Sequence, residues 1–457
     1  MSRRRTLDIA RIYFYVVCGT TVIGLSFLFG LYSGFNRTVV FLVVEYTRRA
    51  IVEAFGTMKA NASTLAGVHP THFLQPARSP AAGITVNEVA DDNGLILLSG
   101  FFENSNELRL IRRDGSIVNR WRFRFSDLFP DVSHIRDREP PSTDWNIDTH
   151  GAVALPDGSV VFNFEYGGLV KLDRCGHSVW TVRQQTHHSV ERAEGGGFWV
   201  PSRRFHPAGS ESPFFPFATP LQEDTIIRVS DDGVVSDEIS VPGALYASAL
   251  GGIVTTLFFD GGQSETPPTE MMHVNKVEEL TSDIAAAFPQ FAAGDLLLSD
   301  RARNLLFVID PATKKVKWWR IGPWQRQHDP EFSPRGTILM FNNNTFRIYA
   351  DDISRYDATT RTLSQVVELN PTTDEYRIVF GGRESQPLLS MIRGKVEPTE
   401  RGVLVTEFEG GRVFEADARG RIIWEYVNRY DDDEVAEVSE ARLYASDYFA
   451  VPNWSCQ

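Results

Sequence analysis

The feature that most constrains the fold is a sequence unit that recurs along most of the 457 residues. Each unit reads as a strand, a turn and a second strand, followed by an apolar strand, a short turn and a strand that often bears Trp. The copies lie at 94–121, 150–180, 187–239, 273–319, 328–363 and 394–426. Six such units predict an all-β fold, a six-bladed β-propeller, because a closed ring of blades removes exposed sheet edges. A seventh blade that uses the region 69–90 is the alternative.

The spacing from one copy to the next is irregular, which is typical of loop insertions on one face of a repeat fold. The stretches 201–224 and 262–271 are predicted to be such insertions. The acidic segment 431–442 is predicted to be a solvated loop that leads into a short helix. The tryptophans late in the units are predicted to pack between blades: Trp121, Trp180, Trp318 and Trp424.

An uncharged apolar run precedes the repeats. It spans residues 12–35, which is 24 residues and long enough to cross ~30 Å of hydrocarbon. Arg3, Arg4, Arg5 and Arg11 precede the run, and fewer basic residues follow it closely, so the N-terminus is expected in the cytoplasm. A cleaved signal peptide is the alternative, but it would have a shorter apolar core and a small-residue cleavage site. The run is therefore predicted to be a transmembrane anchor.

These features divide the chain into four parts: a basic cytoplasmic N-terminus (1–11), a transmembrane anchor (12–35), an amphipathic stalk (36–84) and the β-propeller domain (85–457). Residues 38–60 of the stalk have apolar positions at helical spacing. They are expected to form either a simple stalk or a helix that pairs with a second copy in a homodimer. The expected location is the inner (cytoplasmic) membrane, with the propeller in the periplasm.

Composition excludes one class of partner. The formal net charge is −13, and a nucleic-acid partner would need a basic face, so no nucleic acid is expected to bind. The acidity instead suits the solubility of an extracytoplasmic domain. Of the three cysteines, Cys18 lies in the apolar run, so Cys175 and Cys456 are the one pair that the folded domain could join. An oxidising compartment would permit that bond, but two cysteines so far apart are read as buried thiols.

Four of the ten histidines fall at the same phase of the unit, just ahead of its first strand: His150, His188, His273 and His328. That strand lines the central channel of a propeller, so the four side chains are expected to converge at one mouth. A histidine can also be a structural fixture in a repeat, but the residues around these four differ. A metal site would need carboxylate or thiolate ligands as well, and Asp329 is the only adjacent acid. The other interpretation is nucleophilic and acid–base chemistry on an anion, with Arg301 as the fixed cation.

A family resemblance rests on the same residues. HHS at 187–189, HVN at 273–275 with LLLSDR at 296–301, and QHD at 327–329 with ILMFNNN at 338–344 resemble the motifs of bacterial arylsulfate sulfotransferases. The resemblance implies a six-bladed propeller that moves a sulfuryl group from an aryl sulfate to a phenolic acceptor without a nucleotide donor. It also implies that no metal or organic cofactor is needed.

The resemblance also implies roles for single residues. His328 matches the histidine that becomes sulfated, and His188, His273 and Arg301 match the positions that hold sulfate oxygens or move the phenolic proton. The resemblance assigns no role to His150, and contact with the substrate is expected of it only from its place among the histidines. Three neighbouring polar residues are also expected to bind substrate: His187, Asn275 and Asp329.

This chain departs from the family pattern by its anchor and by Asn342–Asn344, where an Asp-Asn-Gly-type turn is expected. The alternative function is a non-catalytic, membrane-tethered propeller that acts as a binding or assembly module.

Overall fold

The computed structural model describes residues 9–36, parts of 38–67, and then 70–135, 140–256, 271–345 and 363–456. The chain divides into two compact units, Met1–Thr71 and His72–Gln457. Parts of the stalk, residues 262–270 of the predicted insertion 262–271, and the stretch 353–362 of the fifth repeat therefore lie outside the described residues.

The first unit contains one long helix, Ile9–Phe35. Its described part from Ala10 to Phe35 is long and apolar enough to cross a membrane, by criteria that an N-terminal signal sequence can also meet. Cys18 is exposed on this helix. The apolar side chains of this helix are likewise exposed, as a lipid-facing helix requires.

The second unit is built from strands arranged as six blades around a ring, in chain order. Blade 1 contains Leu95–Phe102, Ser105–Arg112, Ile117–Arg122 and, from the end of the chain, Val438–Tyr444; blade 2 contains Thr149–Ala154, Val160–Phe164, Gly168–Leu172 and Ser178–Val182; blade 3 contains Glu191–Arg192, Phe198–His206, Leu221–Val229 and Val235–Ser240. Blade 4 contains Val274–Glu279, Leu296–Asp300, Leu305–Asp310 and Lys315–Ile321; blade 5 contains His328–Ser333, Thr337–Asn342, Gln365–Leu369 and Tyr376–Gly381; blade 6 contains Lys395–Pro398, Gly402–Glu407, Arg412–Asp417, Ile422–Val427 and Gly83–Asn87.

Short helices lie in the segments that connect the strands. They are the α-helices Phe125–Leu128, Val241–Ala247 and Gly251–Thr255 and the 3₁₀ turns Thr71–Phe73, Ala285–Ala287 and Arg301–Arg303. The prediction of an all-β, six-bladed propeller preceded by one apolar helix is confirmed.

The ring closes between the two ends of the β unit. The innermost strand of each blade contacts the innermost strands of both neighbouring blades. In blade 1 that strand is Val438–Tyr444, which pairs antiparallel with Leu95–Phe102 and so joins the end of the chain to the first blade. This pairing satisfies the backbone hydrogen-bonding groups at the inner edge of Leu95–Phe102 and closes the ring, which a linear array of blades would leave open.

The region 69–90 forms no seventh blade. Gly83–Asn87 is a fifth strand on blade 6, paired with Ile422–Val427, and Leu74–Pro76 pairs with Glu434–Ala436. The stalk predicted for residues 36–84 therefore ends earlier than expected, because these two segments find hydrogen-bonding partners in the β unit.

Apolar side chains fill the spaces between blades. One cluster joins blades 1 and 2 and another joins blades 6 and 1, with Trp121 and Trp424 fully buried. Burying such side chains is worth about 1.5–3 kcal/mol each. The indole N–H groups of Trp121, Trp180 and Trp424 donate to main-chain carbonyls in turns of adjacent blades, at 2.8–3.0 Å. The recurrent tryptophans therefore pack between blades, as predicted.

Three local predictions are corrected. Only residues 207–220 of the predicted insertion 201–224 lie outside strands, because both ends extend the long hairpin of blade 3. The predicted helix in 431–442 is strand, since this segment pairs with blade 1. Cys175 and Cys456 are joined by a disulfide with a Cα–Cα distance of 5.6 Å, so the interpretation as buried thiols is wrong. The fold of the last residues beside blade 2 brings together two cysteines that are 281 positions apart.

Candidate active site

Four inner strands carry a β-bulge or irregularity at the same place, close to their first residue. The register shifts occur at Thr149/Ala152, Val274/Lys276, His328/Glu331 and Val438/Glu440. The side chains within these irregular segments include His150, Asn275, Asp329 and Ser439. A bulge disrupts the ladder locally and re-aims a side chain. All four of these side chains line a single pocket.

The pocket lies where the inner strands begin, at one mouth of the ring. It is lined by His150, His188, Asn275, His328, Asp329, Arg393, Gly394, Lys395 and Ser439. Its empty volume is about 260 Å³, including space open to solvent. Positions at the start of the inner strands of all six blades therefore build one polar pocket from residues that are far apart in sequence.

The histidine rings form a group centred on His188. Ring centroids lie 4.7 Å from His188 for His150, 4.9 Å for His187, 5.1 Å for His273 and 6.2 Å for His328. His188 has φ 58°, a conformation that is rare for a side chain other than Gly and is often found at functional sites. A Cβ atom on Gly151 would lie 2.4 Å from the carbonyl oxygen of His188, so only glycine permits this approach of blades 2 and 3.

Hydrogen bonds fix the tautomer of His328. Its Nδ1 lies 2.6 Å from Asn343 Oδ1 and 3.0 Å from the carbonyl oxygen of Arg326. The Asn343 amide nitrogen donates to the carbonyls of Ser390 (2.8 Å) and Arg393 (2.9 Å), so its oxygen must face His328. Both neighbours of Nδ1 are acceptors, hence Nδ1 carries the proton and Nε2 carries the lone pair. Nε2 has no hydrogen-bond partner among the described residues.

The tautomer of His150 is the opposite one. The backbone N–H of His188 donates to His150 Nδ1 at 2.9 Å, so the proton of the neutral ring is on Nε2. Nε2 is buried, and its nearest recorded acceptor, Glu165 Oε1, is 3.9 Å away, which is beyond hydrogen-bond distance. His150 therefore presents an N–H donor, whereas His328 presents a lone pair.

His187 lies behind the pocket. Its ring is fully buried, and its Nδ1 is 2.7 Å from Nδ1 of His188, so one of the two donates to the other. The ring also packs against Tyr166, at a centroid distance of 4.9 Å, and its Nε2 lies 4.0 Å from Asp224 Oδ1. The structure thus places His187 as a support for His188 and not among the residues that line the pocket.

Burial keeps the enclosed histidines neutral. It is the first cause that lowers the pKa of His150, His187, His188 and His328 well below the ordinary value of 6.5. For His328, the charge of Arg301 is the second cause that lowers the pKa, since a nearby cation disfavours the imidazolium. A neutral imidazole is the form that can act as a nucleophile.

Three cationic side chains stand close to this group. Arg301 follows the second strand of blade 4, where its backbone N–H donates to the carbonyl of His273 at 3.1 Å. Lys395 and Arg393 line the pocket directly. Lys395 Nζ lies 3.3 Å from Asp329 and 3.2 Å from Glu440.

Asp329 is ionised and held by the fold. Burial raises its pKa, but Lys276 and Lys395 outweigh that effect and lower the pKa to about 2. Its Oδ1 lies 3.2 Å from Lys276 Nζ, and its Oδ2 accepts the backbone N–H of Val396 at 2.9 Å. The carboxylate thus lines the pocket while it ties the inner strands of blades 4, 5 and 6 together.

Two groups of acidic and histidine side chains have the spacing of metal ligands. In the group Glu191, Asp329 and Glu331, the ammonium of Lys276 ion-pairs with all three carboxylates. In the group Asp148, His150 and Glu165, Arg393 Nη2 lies 2.5 Å from Asp148 and 3.0 Å from Glu165. A protein cation thus occupies the place that a metal ion would take in each group.

Sequence reasoning missed several residues of the site, among them Lys395, Asn343, Arg393 and Ser439. Lys395 begins the inner strand of blade 6, at the same phase as the histidines, so the repeat pattern could have identified it. Asn343 lies in the noted motif ILMFNNN, but its contact with His328 depends on the fold. Arg393 lies in a loop that no other unit repeats, and no sequence signal marks it.

Comparison with known proteins gives a family. The family profile described as Arylsulfotransferase (ASST) matches residues 151–429, more than half of the chain. No curated protein matches the sequence.

Solved structures resemble the chain at low identity. They include a protein of unknown function from Bacteroides caccae (13% identity, TM-score 0.44, covering 77% of this chain and 98% of that one). They also include a streptogramin B lyase (12% identity, TM-score 0.39, covering 81% of this chain and 97% of that one). BamB from Moraxella catarrhalis is a third (11% identity, TM-score 0.32, covering 81% of this chain and 97% of that one). At these identities and TM-scores, none of the three bears on function.

Proposed function

The chain belongs to the arylsulfotransferase (ASST) family, and from that premise we propose that it is a membrane-anchored sulfotransferase whose His328 carries the sulfuryl group. The donor is an aryl sulfate and the acceptor a phenol. The observation that carries the proposal is the orientation of His328, whose Nδ1 faces two acceptors and whose unprotonated Nε2 belongs to a side chain that lines the pocket.

In the first half-reaction, the Nε2 lone pair attacks sulfur, the N–S bond forms and the bond between sulfur and the aryl oxygen breaks. The aryl oxygen leaves with that electron pair and takes a proton from His188 or His273, whose imidazole has gained one from solvent beside the bound sulfate. The imidazole keeps its Nδ1 proton and becomes a sulfated imidazolium. Asn343 Oδ1 and the Arg326 carbonyl, both already hydrogen-bonded to Nδ1, stabilise this positive ring.

In the second half-reaction, the acceptor oxygen attacks sulfur, the N–S bond breaks and its electron pair returns to Nε2. The acceptor loses its proton to a base, for which we assign His188 or His273. Both rings are within the histidine group, and the negative charge of a bound sulfate favours protonation of a nearby imidazole. Asn275 contributes an acceptor, because its amide nitrogen donates to Gln327 (2.8 Å) and its buried Oδ1 has no hydrogen-bond partner among the described residues.

Charge compensation is supplied by protein cations. Lys395, which lines the pocket, and Arg301, whose charge acts on His328, balance the sulfate charge. Sulfuryl transfer, like phosphoryl transfer, depends mainly on positioning and electrostatic stabilisation. Asp329 then serves to hold Lys395 in place, and His187 to orient His188.

The location of the reaction is proposed from two features. The helix Ile9–Phe35 is long and apolar enough to anchor the chain in the inner membrane, and the preceding arginines favour a cytoplasmic N-terminus. The bond between Cys175 and Cys456 suits an oxidising compartment such as the periplasm. The propeller would then meet its substrates outside the cytoplasm.

The test uses the full chain in detergent micelles with 4-nitrophenyl sulfate, with and without phenol. We expect nitrophenol release that accelerates with phenol, and a sulfuryl adduct on the peptide containing His328 when phenol is withheld and the reaction is quenched in base. His328→Asn should abolish both signals. His177→Asn is the matched control, since His177 is an exposed histidine that pairs with Asp173 in a turn outside the pocket.

The same measurements can reject the proposal. Absence of nitrophenol release from a folded protein with several aryl sulfates would favour the non-catalytic, membrane-tethered binding module. An adduct on another residue, with activity retained by His328→Asn, would show that His328 is not the nucleophile.

A further inference from the structure

We infer that His150 and Arg393 form a donor pair that binds two sulfuryl oxygens while sulfur is attached to His328, an inference that rests on the proposed function. Neither residue is assigned such a role by the family motifs quoted above. Both line the same pocket as His328. The argument begins from hydrogen-bond donors that have no acceptor.

The first donor is His150 Nε2–H. The backbone N–H of His188 occupies Nδ1, which leaves the proton on Nε2. Nε2 is buried without a hydrogen-bond partner among the described residues. Because burial and Arg393 lower the pKa of this ring, it stays neutral and can only donate at Nε2.

The second donor is Arg393 Nη1, which is also buried and without a hydrogen-bond partner in the described part of the chain. The other terminal nitrogen, Nη2, is held by Asp148 and Glu165. The guanidinium lies 4.4 Å from the ring centroid of Phe408. The orientation of the fork is therefore fixed by three contacts, and Nη1 is left for a ligand.

The charge of Arg393 is available to an anion. His72 Nε2 lies 2.8 Å from Asp148, and the Asp148 carboxylate raises the pKa of His72 to about 9, so His72 is a cation that shares the neutralisation of Asp148. Burial is the first cause that raises the pKa of Glu165. Two cations, His72 and Arg393, thus face the Asp148 carboxylate in this wall.

The position of this donor pair is tied to the nucleophile. Asn343 accepts from His328 Nδ1 and donates to the backbone carbonyl of Arg393 at 2.9 Å. The Asn343 amide thus fixes both the orientation of the His328 ring and the position of the loop that carries the Arg393 guanidinium. A buried donor without an acceptor is unfavourable in the empty pocket, and an oxygen of a sulfuryl group would satisfy it. No bond to His150 or Arg393 forms or breaks, and neither loses its proton.

The test measures anion binding separately from turnover. Inorganic sulfate is titrated into the full chain by calorimetry, and the rate of adduct formation on His328 is measured with 4-nitrophenyl sulfate. The variant is Arg393→Gln combined with Glu165→Gln, because Glu165 would otherwise lose its cationic partner. We expect this double variant to bind sulfate about tenfold or more weakly. We expect it to slow adduct formation about 100-fold, the loss typical of one oxyanion donor. His150→Asn should produce changes in the same direction.

Two further variants keep the test decisive. Arg113→Gln is the matched control, because Arg113 is buried, is held by Asp92 (3.0 Å) and Glu415 (2.8 Å), and lies outside the pocket. Its sulfate affinity should equal that of the unmodified protein. Arg393→Lys keeps the charge but loses the planar fork, so it provides the measurement if the double variant fails to fold.

The outcomes separate the two proposals. Sulfate binding that depends on Arg393, without any sulfated His328, would support the donor pair and reject the transferase. Normal sulfate affinity and adduct formation in folded Arg393→Lys and Arg393→Gln/Glu165→Gln would overturn the donor pair and leave the transferase standing.

Discussion

Gly151 controls the spacing between the inner strands that position His150 and His188. A Cβ atom at this residue would lie 2.4 Å from the carbonyl oxygen of His188, 2.5 Å from the nitrogen of Val190 and 2.7 Å from the carbonyl carbon of Ser189. All three are backbone atoms, so no side-chain rotation can relieve the contact. In Gly151→Ala the His188 carbonyl would have to withdraw by about 1 Å to reach the 3.4 Å at which ordinary contact begins.

The expected effect follows from that displacement. Overpacking of this kind costs about 1–3 kcal/mol of stability. A shift of about 1 Å in the catalytic geometry costs about 100-fold in rate, equivalent to about 2.7 kcal/mol of activation free energy. The hydrogen bond from the His188 N–H to His150 would be strained by the same movement. We therefore expect Gly151→Ala to lower the urea midpoint moderately and the rate of adduct formation by about two orders of magnitude.

The assay is the pre-steady-state burst of nitrophenol, followed with urea unfolding of the same preparations. Gly252→Ala is the matched control, since Gly252 lies in a helix and a Cβ there would meet nothing within 4 Å. A Gly151→Ala protein with an unchanged burst rate and an unchanged midpoint would refute the close approach and the role of His188 that depends on it.

Three more results are expected. Asn343→Ala should slow the burst about 5- to 10-fold, because His328 Nδ1 loses one of its two acceptors and a net hydrogen bond is worth about 1 kcal/mol. An unchanged burst rate would contradict the tautomer assigned to His328. In the pH profile of the burst, the acid limb should lie below 6.5, since burial lowers the pKa of His328, and a limb above 6.5 would contradict this. Burial raises the pKa of Glu397 from 4.5 to about 8, so the stability that its protonated form contributes is complete below pH 4.5 and is lost as the pH rises to 8. Glu397→Gln should therefore reduce the fall in urea midpoint between pH 5 and pH 9. An equal fall in both proteins would reject this role of Glu397.

Much of the fold could be predicted because its strands are punctuated by turn residues at regular offsets. The fourth unit was read at 273–280, 294–300 and 305–319, and its strands are Val274–Glu279, Leu296–Asp300, Leu305–Asp310 and Lys315–Ile321. Each strand also packs against its nearest neighbours in sequence, so local pattern and tertiary structure agree. The repeat phase predicted the convergence of His150, His188 and His328 for the same reason.

Long-range pairing could not be predicted in this way. The segment 431–442 was expected to become helical, but its partner is Leu95–Phe102, at the other end of the β unit, and tertiary pairing overrides local propensity. The disulfide between Cys175 and Cys456 depends on the same closure. Arg393 and Asn343 reach the pocket from loops, where no repeat offset specifies a position.

The closing strand Val438–Tyr444 also determines when the pocket can exist. A ribosome releases blades 2 to 6 before it releases this strand, which supplies the inner edge of blade 1 and contributes Ser439 to the pocket wall. Until then blade 1 lacks its inner strand, and the inner strands of blades 2 and 6 lack the neighbour between them. A chain that is still being synthesised therefore holds all its histidines before the pocket is assembled.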